Sequence, residues 1–176
     1  MKNLAIFILI VSATLGLVSC DKLKSVDYQP SNIEFAFDTV RAAGDYIKFT
    51  SQKYDVNQIF KSLGISANKV KGLNLKKIDL TMLTPGVNFS DFSKARMEVF
   101  AKGLDTVRIG WVDNIPSSAT TSLSLNVETN TNILEYANSG EVFFKLTVTA
   151  TKPLPAFRIK AERAEVFPAS ISKLGI

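Results

Sequence analysis

The chain contains no histidine and only one cysteine, Cys20, among its 176 residues. Histidine is the usual general base near neutral pH and the commonest transition-metal ligand. Its absence therefore excludes Ser-His-Asp and Cys-His catalysis and histidine-bearing metal sites. A lone cysteine cannot form a disulfide within the chain or supply a thiolate zinc site. The sequence predicts neither a metal nor a cofactor.

Other catalytic patterns are also missing. The chain has no Gly-rich phosphate loop and no Asp-x-Asp-x-Asp-Gly calcium loop, and the adjacent pairs Lys61-Ser62 and Ser93-Lys94 lack the Ser-x-x-Lys spacing of serine-lysine enzymes. Its 16 acidic residues fall in no recognisable motif. Two carboxyl groups can still cleave a glycosidic bond, so a small hydrolase of envelope glycans stays open as an alternative. We expect a non-enzymatic protein.

Charge of one sign is not concentrated anywhere in the chain. The net charge is only +5, with acids and bases interspersed, whereas a nucleic-acid binder shows clustered basic residues. The densest basic group is Lys69, Lys71, Lys76 and Lys77. We interpret it as a solvated strand face, with attraction to anionic lipid headgroups as the alternative. No nucleic-acid partner is predicted.

The N-terminus has the pattern of a secretory signal peptide. Lys2 supplies a positive charge, residues 4–11 are an unbroken apolar run, and small residues follow. The apolar part is interrupted by Ser12, Thr14 and Gly16, which makes it marginal as a spanning helix. We therefore predict that residues 1–19 are removed.

The segment Leu17-Val18-Ser19-Cys20 resembles the lipobox of bacterial lipoproteins. The resemblance covers this segment only. It implies that the thiol of Cys20 carries diacylglycerol, with fatty chains such as palmitate, and that cleavage occurs just before this residue. The protein would then be held to a membrane by lipid, because each buried methylene contributes about 0.8 kcal/mol.

The residues after Cys20 bear on where the protein lies in the envelope. Asp21 directly after the cysteine resembles an inner-membrane retention signal of enterobacterial lipoproteins. The run Asp21-Lys22-Leu23-Lys24 departs from the acidic surface-export signal of Bacteroidota lipoproteins. A plain soluble tether is an equal interpretation, so a periplasmic and a surface location both stay open. We predict a tether with little fixed structure over 20–31, followed by one domain over 32–176.

Alternating apolar and polar residues predict strands along this domain. The clearest is 142–151, where Val142, Phe144 and Leu146 share one face. We predict the other strands over 33–40, 46–50, 70–83, 95–102, 106–111, 123–127 and 157–166. In these strands we place Ile47, Phe49 and Trp111 inward. Phe100 and Phe143 each fall on the face of their strand opposite the inward residues. There they either line a partner surface or lie under the helices.

Two short helices are predicted between the strands. Asp55 caps a helix over 56–63 that ends at Gly64, and Asn132 with Glu135 has capping-box spacing. A parity change at Lys76-Lys77 indicates a bulge in the strand over 70–83. This pattern predicts a mainly β fold, an antiparallel β-sandwich of immunoglobulin-like or jelly-roll-like type, similar in outline to small Bacteroidota lipoproteins.

We expect such a protein to be a membrane-anchored binding or structural module of the cell envelope with a protein or glycan partner. A carrier of an apolar ligand between the two sheets is a further alternative. Sandwiches host many functions, so the fold alone does not choose among these. The one site residue that the sequence assigns is Cys20, as the lipidated residue.

Overall fold

The computed structural model describes residues 22–171. Within this part the strands are β1 (Lys22–Tyr28), β2 (Ile33–Phe37), β3 (Gly44–Lys53), β4 (Asn74–Met82), β5 (Phe92–Phe100), β6 (Val107–Val112), β7 (Ser122–Ser124), β8 (Asn126–Val127), β9 (Glu141–Ala150) and β10 (Phe157–Ile171). Two α-helices, α1 (Val56–Ser62) and α2 (Leu134–Asn138), and two 3₁₀ turns, Ala67–Lys69 and Phe89–Asp91, connect them.

The strands form two five-stranded antiparallel sheets. The first sheet has the order β1-β10-β4-β7, and β2 also pairs with β10. The second sheet has the order β3-β9-β5-β6-β8. Two antiparallel sheets with short helices at their margins confirm the predicted β-sandwich.

Aromatic and branched side chains fill the space between the sheets. Phe35, Phe144 and Ile159 are buried there, and the Phe157 ring lies 4.7 Å from the Phe37 ring and 5.2 Å from the Phe92 ring, measured between centroids. Fully burying one such side chain contributes about 1.5–3 kcal/mol. Along β9, burial alternates strictly after the first residue, as its sequence predicts.

Both helices form close to where the sequence places them. The Asp55 side chain caps α1 by accepting a hydrogen bond from the Gln58 amide, which confirms that prediction. The second helix begins at Leu134 with Ile133 at the N-cap position, so the predicted N-cap at Asn132 is wrong. The Asn132 side-chain oxygen instead accepts hydrogen bonds from the amides of Leu134 and Leu73, both at 3.0 Å, and thereby links α2 to the segment before β4.

The predicted bulge in β4 is confirmed. Ala164 of β10 pairs with Lys77 and Glu165 pairs with Leu75, so Lys76 is the extra residue. The bulge leaves Lys76 and Lys77 exposed while Leu75 and Ile78 are buried on either side of them. Leu75 and Ile78, which have opposite parity in the sequence, can therefore both point into the core.

The segment after Cys20 differs from the prediction. Residues 22–28 form strand β1, which pairs with β10 from Lys22 opposite Ile171 to Tyr28 opposite Glu165. The expectation of little fixed structure over 20–31 is therefore wrong for this stretch. Its polar composition gave no strand signal, because an edge strand is held largely by backbone hydrogen bonds that any residue except proline can make.

Candidate functional site

The outer face of the second sheet, which points away from the first sheet, carries aromatic and charged side chains from four strands. The strand register arranges them in rows across β3, β9, β5 and β6. One row holds Ile47, Thr147, Arg96 and Trp111; the next holds Phe49, Lys145, Glu98 and Arg108; a third holds Ser51, Phe143 and Phe100. We call this surface the outer face.

Three phenylalanines form an aromatic cluster on the outer face. Phe100 and Phe143 stack with their ring centroids 5.3 Å apart, and Phe49 meets Phe100 edge-on at 5.9 Å. The exposed fraction of Phe49 is 59%, the highest of the large apolar side chains described as exposed, and that of nearby Ile47 is 48%. An exposed aromatic cluster of this kind is a feature of binding surfaces.

The structure corrects the predicted direction of Ile47 and Phe49, which point outward. Strand β3 pairs with β9 so that Tyr46, Lys48, Thr50 and Gln52 lie opposite the buried residues of β9. The parity argument failed because it assumes that the apolar face of a strand lies inward. In the edge strand β3 polar residues take the inward positions, which are only partly buried: Gln52 accepts a hydrogen bond from the buried Arg163, and Lys48 pairs with Asp38, which is exposed.

Trp111 also points to the outer face, not into the core as predicted. The register between β5 and β6 shifts between Met97, which pairs with Gly110, and Glu98, which pairs with Arg108. Ile109 is the extra residue, and it is buried together with Gly110. Without a bulge, Trp111 would lie on the same face as the buried Ile109. The extra residue turns Trp111 to the other face, where it pairs with Arg96.

A network of charges occupies the centre of the outer face. Glu98 lies on the central strand β5 and is only 8% exposed. Each carboxylate oxygen has a cation partner: Arg96 at 2.7 Å from Oε1 and Lys145 at 2.7 Å from Oε2. The Arg108 guanidinium lies 4.0 Å from the centroid of the Trp111 ring, a cation–π contact.

Beside the aromatic cluster the outer face forms an open groove of about 530 Å³. Its lining includes the carboxyl groups of Asp45, Glu98 and Asp113 and the cations of Lys94, Arg96 and Lys145. Asp45 accepts a hydrogen bond from the Thr149 hydroxyl. The groove can therefore offer hydrogen-bond acceptors and donors of both charges to a bound group.

A second polar cluster lies inside the sandwich. Arg163 and Glu165 of β10 are fully buried and form an ion pair, with the Arg163 Nε atom 3.2 Å from the Glu165 Oε1 atom. The Tyr54 hydroxyl donates to Glu165 at 2.9 Å and accepts from Arg163 at 3.0 Å. The guanidinium also lies 4.3 Å from the centroid of the Phe144 ring.

Burial controls the titration of this buried cluster. Burial raises the pKa of the Glu165 carboxyl above its usual range, although the Arg163 charge and the hydrogen bond from Tyr54 oppose the shift. Burial likewise raises the pKa of the Tyr54 phenol. Among residues 22–171, the Nη1 atom of Arg163 and the Oε2 atom of Glu165 have no hydrogen-bond partner.

Sequence analysis did not single out Arg163 or Glu165. A signal was present: Phe157, Ile159 and Ala161 define the inward parity of β10, and the same parity continues through Arg163 and Glu165 to Phe167. Charged residues at inward positions of a central strand indicate a buried ion pair.

The remaining candidates are placed as follows. Cys20 lies outside the described residues. Lys76 pairs with Asp27 and Lys77 with Asp79 on the outer side of the first sheet, in agreement with a solvated strand face. Lys69 lies in a 3₁₀ turn and Lys71 in the segment before β4, so the prediction is wrong for these two lysines. Among residues 22–171, no group of three or more Asp, Glu, His or Cys side chains is placed to hold a metal ion. In the same range no helix has the length and apolar character needed to cross a membrane.

The fold and the outer face together define a two-sheet antiparallel β-sandwich that exposes an aromatic cluster and a charged groove on one sheet. Comparison with known proteins adds no relative: no protein-family model matches the chain, and no curated protein matches it.

Proposed function

We propose that the protein is a non-enzymatic module of the bacterial cell envelope, anchored by lipid on Cys20, that binds a protein partner through its outer face. The observation that carries the proposal is the reversed polarity of β3. This strand exposes Ile47 and Phe49 to solvent while Lys48 and Gln52 face inward. Exposing two large apolar side chains is unfavourable unless a partner covers them.

The composition of the outer face supports a protein partner over a glycan. Protein interfaces have an aromatic centre surrounded by charged groups, which the aromatic cluster and its neighbours Lys145 and Arg96 reproduce. A sugar ring needs a free aromatic face on which to stack. Phe100 and Phe143 stack on each other and Arg108 lies over the Trp111 ring, which leaves Phe49 as the largely exposed aromatic ring of the outer face.

The groove supports binding more than hydrolysis. A carboxylate-based glycosidase needs one carboxyl group free to protonate the leaving group. Glu98 has both oxygens engaged by Arg96 and Lys145, so a hydrolase would have to use Asp113 together with Asp45, which already accepts a hydrogen bond from Thr149. The ion pair of Arg163 and Glu165 between the sheets also argues against an apolar ligand at that place in the interior.

Site-specific photocrosslinking in intact cells tests the outer face. A benzophenone amino acid replaces Phe49, and in a matched control it replaces Ala36, which is exposed on β2 of the first sheet. We expect a discrete protein adduct from position 49 that is absent from position 36. A second substitution, Phe100→Ser, should abolish that adduct. No adduct at position 49, or equal adducts from both positions, would refute the protein-binding proposal, and glycan arrays would then test the alternative.

The anchor is tested separately. The mass of the chain purified from the membrane fraction should correspond to residues 20–176 plus diacylglycerol and any further acyl chain. The Cys20→Ser variant should lack this mass and leave the membrane fraction. Protease treatment of intact and opened cells then distinguishes a surface location, where the domain is cleaved in both, from a periplasmic one, where it is cleaved only in opened cells.

A further inference from the structure

The first strand begins almost directly after the residue proposed to carry lipid. Strand β1 starts at Lys22, and its register with β10 is continuous from Lys22 opposite Ile171 to Tyr28 opposite Glu165. Only Asp21 separates Cys20 from a residue fixed in the sheet. The sequence predicted a loose tether here, whereas the structure leaves only a very short link between the lipidated residue and the folded domain.

The difference in reach is large. A chain extends by at most about 3.6 Å per residue, so Cys20 lies within about 7 Å of Lys22, whereas a tether over 20–31 would reach roughly 40 Å. The ten residues of β9 extend about 33 Å, which is a measure of the length of the sandwich. Together with the five β1–β10 pairs beyond Asn74, which extend about 16 Å, this lead still holds the sandwich within less than its own length of a bilayer.

The register also identifies which end of the sandwich faces the lipid. The pairing of β10 with β4 ends with Val166 opposite Asn74, and the Lys71 amide then donates to the Pro168 carbonyl at 2.8 Å. Helix α1 packs at the same end, where the rings of Phe60 and Phe167 have centroids 5.3 Å apart. The loop over 151–156, which leads into Phe157, lies at the opposite end of β10.

We propose that β1 and the C-terminal part of β10 form a short rigid stem that seats the α1 end of the sandwich on the lipid headgroups. The inference rests on lipid attachment to Cys20, as in the proposed function. The partner surface at this end is the bilayer itself. The exposed lysines Lys61 on α1 and Lys71 beside the stem are suited to anionic headgroups.

The stem limits how far from the membrane a partner bound to the outer face can lie. A ligand held anywhere along the second sheet lies within roughly 55–60 Å of the headgroups, because the reach of the lead, the five residue pairs of the stem beyond Asn74 and the strand length add to that distance. The aromatic cluster is at the end of β5 and the beginning of β9, and Lys53, the last residue of β3, directly precedes the α1 segment. The aromatic cluster therefore lies in the part of the outer face nearest the membrane. This position suits a partner that is itself embedded in or bound to the same membrane.

Fluorescence quenching on vesicles tests the stem. The lipidated full-length protein is reconstituted into vesicles of phosphatidylethanolamine and phosphatidylglycerol that carry a headgroup-linked quencher. A fluorophore is attached to Asn68→Cys, in the 3₁₀ turn near the stem, or to Ala156→Cys, in the loop at the opposite end; both positions are exposed. Acylated Cys20 does not react with the fluorophore, so each label reports a single position.

We expect several-fold stronger quenching at position 68 than at position 156. A flexible twelve-residue Gly/Ser insert between Asp21 and Lys22 adds a mean reach of about 20 Å and should reduce the difference. Equal quenching at the two positions, or a difference that the insert leaves unchanged, would overturn the stem. An unacylated chain would instead overturn the proposed anchor, and the inference with it, so the mass of the chain distinguishes the two failures.

Discussion

At the scale of single residues, the buried ion pair of Arg163 and Glu165 is the feature of this molecule whose disruption should matter most. Its atoms lie at 0% exposure. The Arg163→Met variant leaves the Glu165 carboxylate without its cation in the core, which is expected to lower the free energy of unfolding by about 3–5 kcal/mol. Urea unfolding monitored by tryptophan fluorescence measures the loss.

The double variant Arg163→Met with Glu165→Met is the control for this prediction. Removing both charges also removes the cost of desolvating them, so the double variant should recover most of the stability lost in Arg163→Met. If the double variant is the less stable of the two, the ion pair contributes through packing against Phe144 and Tyr54 rather than through its charge.

The same carboxyl group should produce a pH dependence of stability. Burial raises the folded-state pKa of Glu165 above its usual value of 4.5, which is the value expected for the unfolded chain. Between these two pKa values the folded protein binds more protons, so the free energy of unfolding should fall as pH rises through this window. The Glu165→Gln variant cannot titrate at this position. Subtracting its pH profile from that of the parent should therefore isolate the negative slope, and a difference that is flat or rises with pH would contradict the assignment.

At the scale of secondary-structure elements, Asn132 connects α2 to the segment leading into β4. Its side-chain oxygen accepts from the Leu73 and Leu134 amides, and Leu73 is fully buried. Asn132→Ala leaves the Leu73 amide without a partner and should cost about 1–3 kcal/mol of unfolding free energy. Asn132→Asp keeps an acceptor oxygen at the same place and should lose much less. Thermal unfolding of the two variants compares them, and equal losses would refute a role for the acceptor.

Strand faces could be predicted from the sequence where a central strand has a single apolar side. Phe144 and Leu146 of β9 lie inward as predicted, and the bulge at Lys76 follows from a parity change that the sequence displays. The prediction failed in β3 and β6 for separate reasons. The inward positions of β3 are only partly buried and therefore tolerate polar residues such as Lys48 and Gln52. The bulge at Ile109 depends on the pairing of β6 with β5, which no local pattern encodes.

The candidate site was only partly accessible to sequence analysis for the same reasons. Phe100 and Phe143 were correctly placed on the outward faces of their strands, but their neighbours Phe49, Ile47 and Trp111 were assigned to the core. An exposed aromatic cluster and a buried aromatic stripe have the same alternating sequence. Only the pairing of β3 with β9 distinguishes them.

At the scale of the whole molecule, the two sheets have different tasks in the proposed function. The first sheet receives the chain from Cys20 through β1, and the second sheet presents the aromatic cluster and the groove. The buried cluster of Arg163, Glu165 and Tyr54 lies between these two surfaces, and Tyr28 of β1 pairs directly opposite Glu165. Strand β1 is thus part of the fold as well as the proposed connection to lipid.

Truncation of β1 tests whether this strand is structural. A chain that begins at Gln29 loses the pairing of β1 with β10 and the Tyr28 ring, whose centroid lies 5.8 Å from that of Phe167. Compared with a chain that begins at Asp21, it should lose at least about 2 kcal/mol of unfolding free energy, because partly buried Val26 and Tyr28 leave the core and Glu165 loses its cover. A mere tether would change the stability by no more than about 0.5 kcal/mol. Urea unfolding of the two unlipidated chains distinguishes these outcomes. Equal midpoints would show that β1 adds nothing to the fold, and a strand held so weakly could not act as a rigid stem.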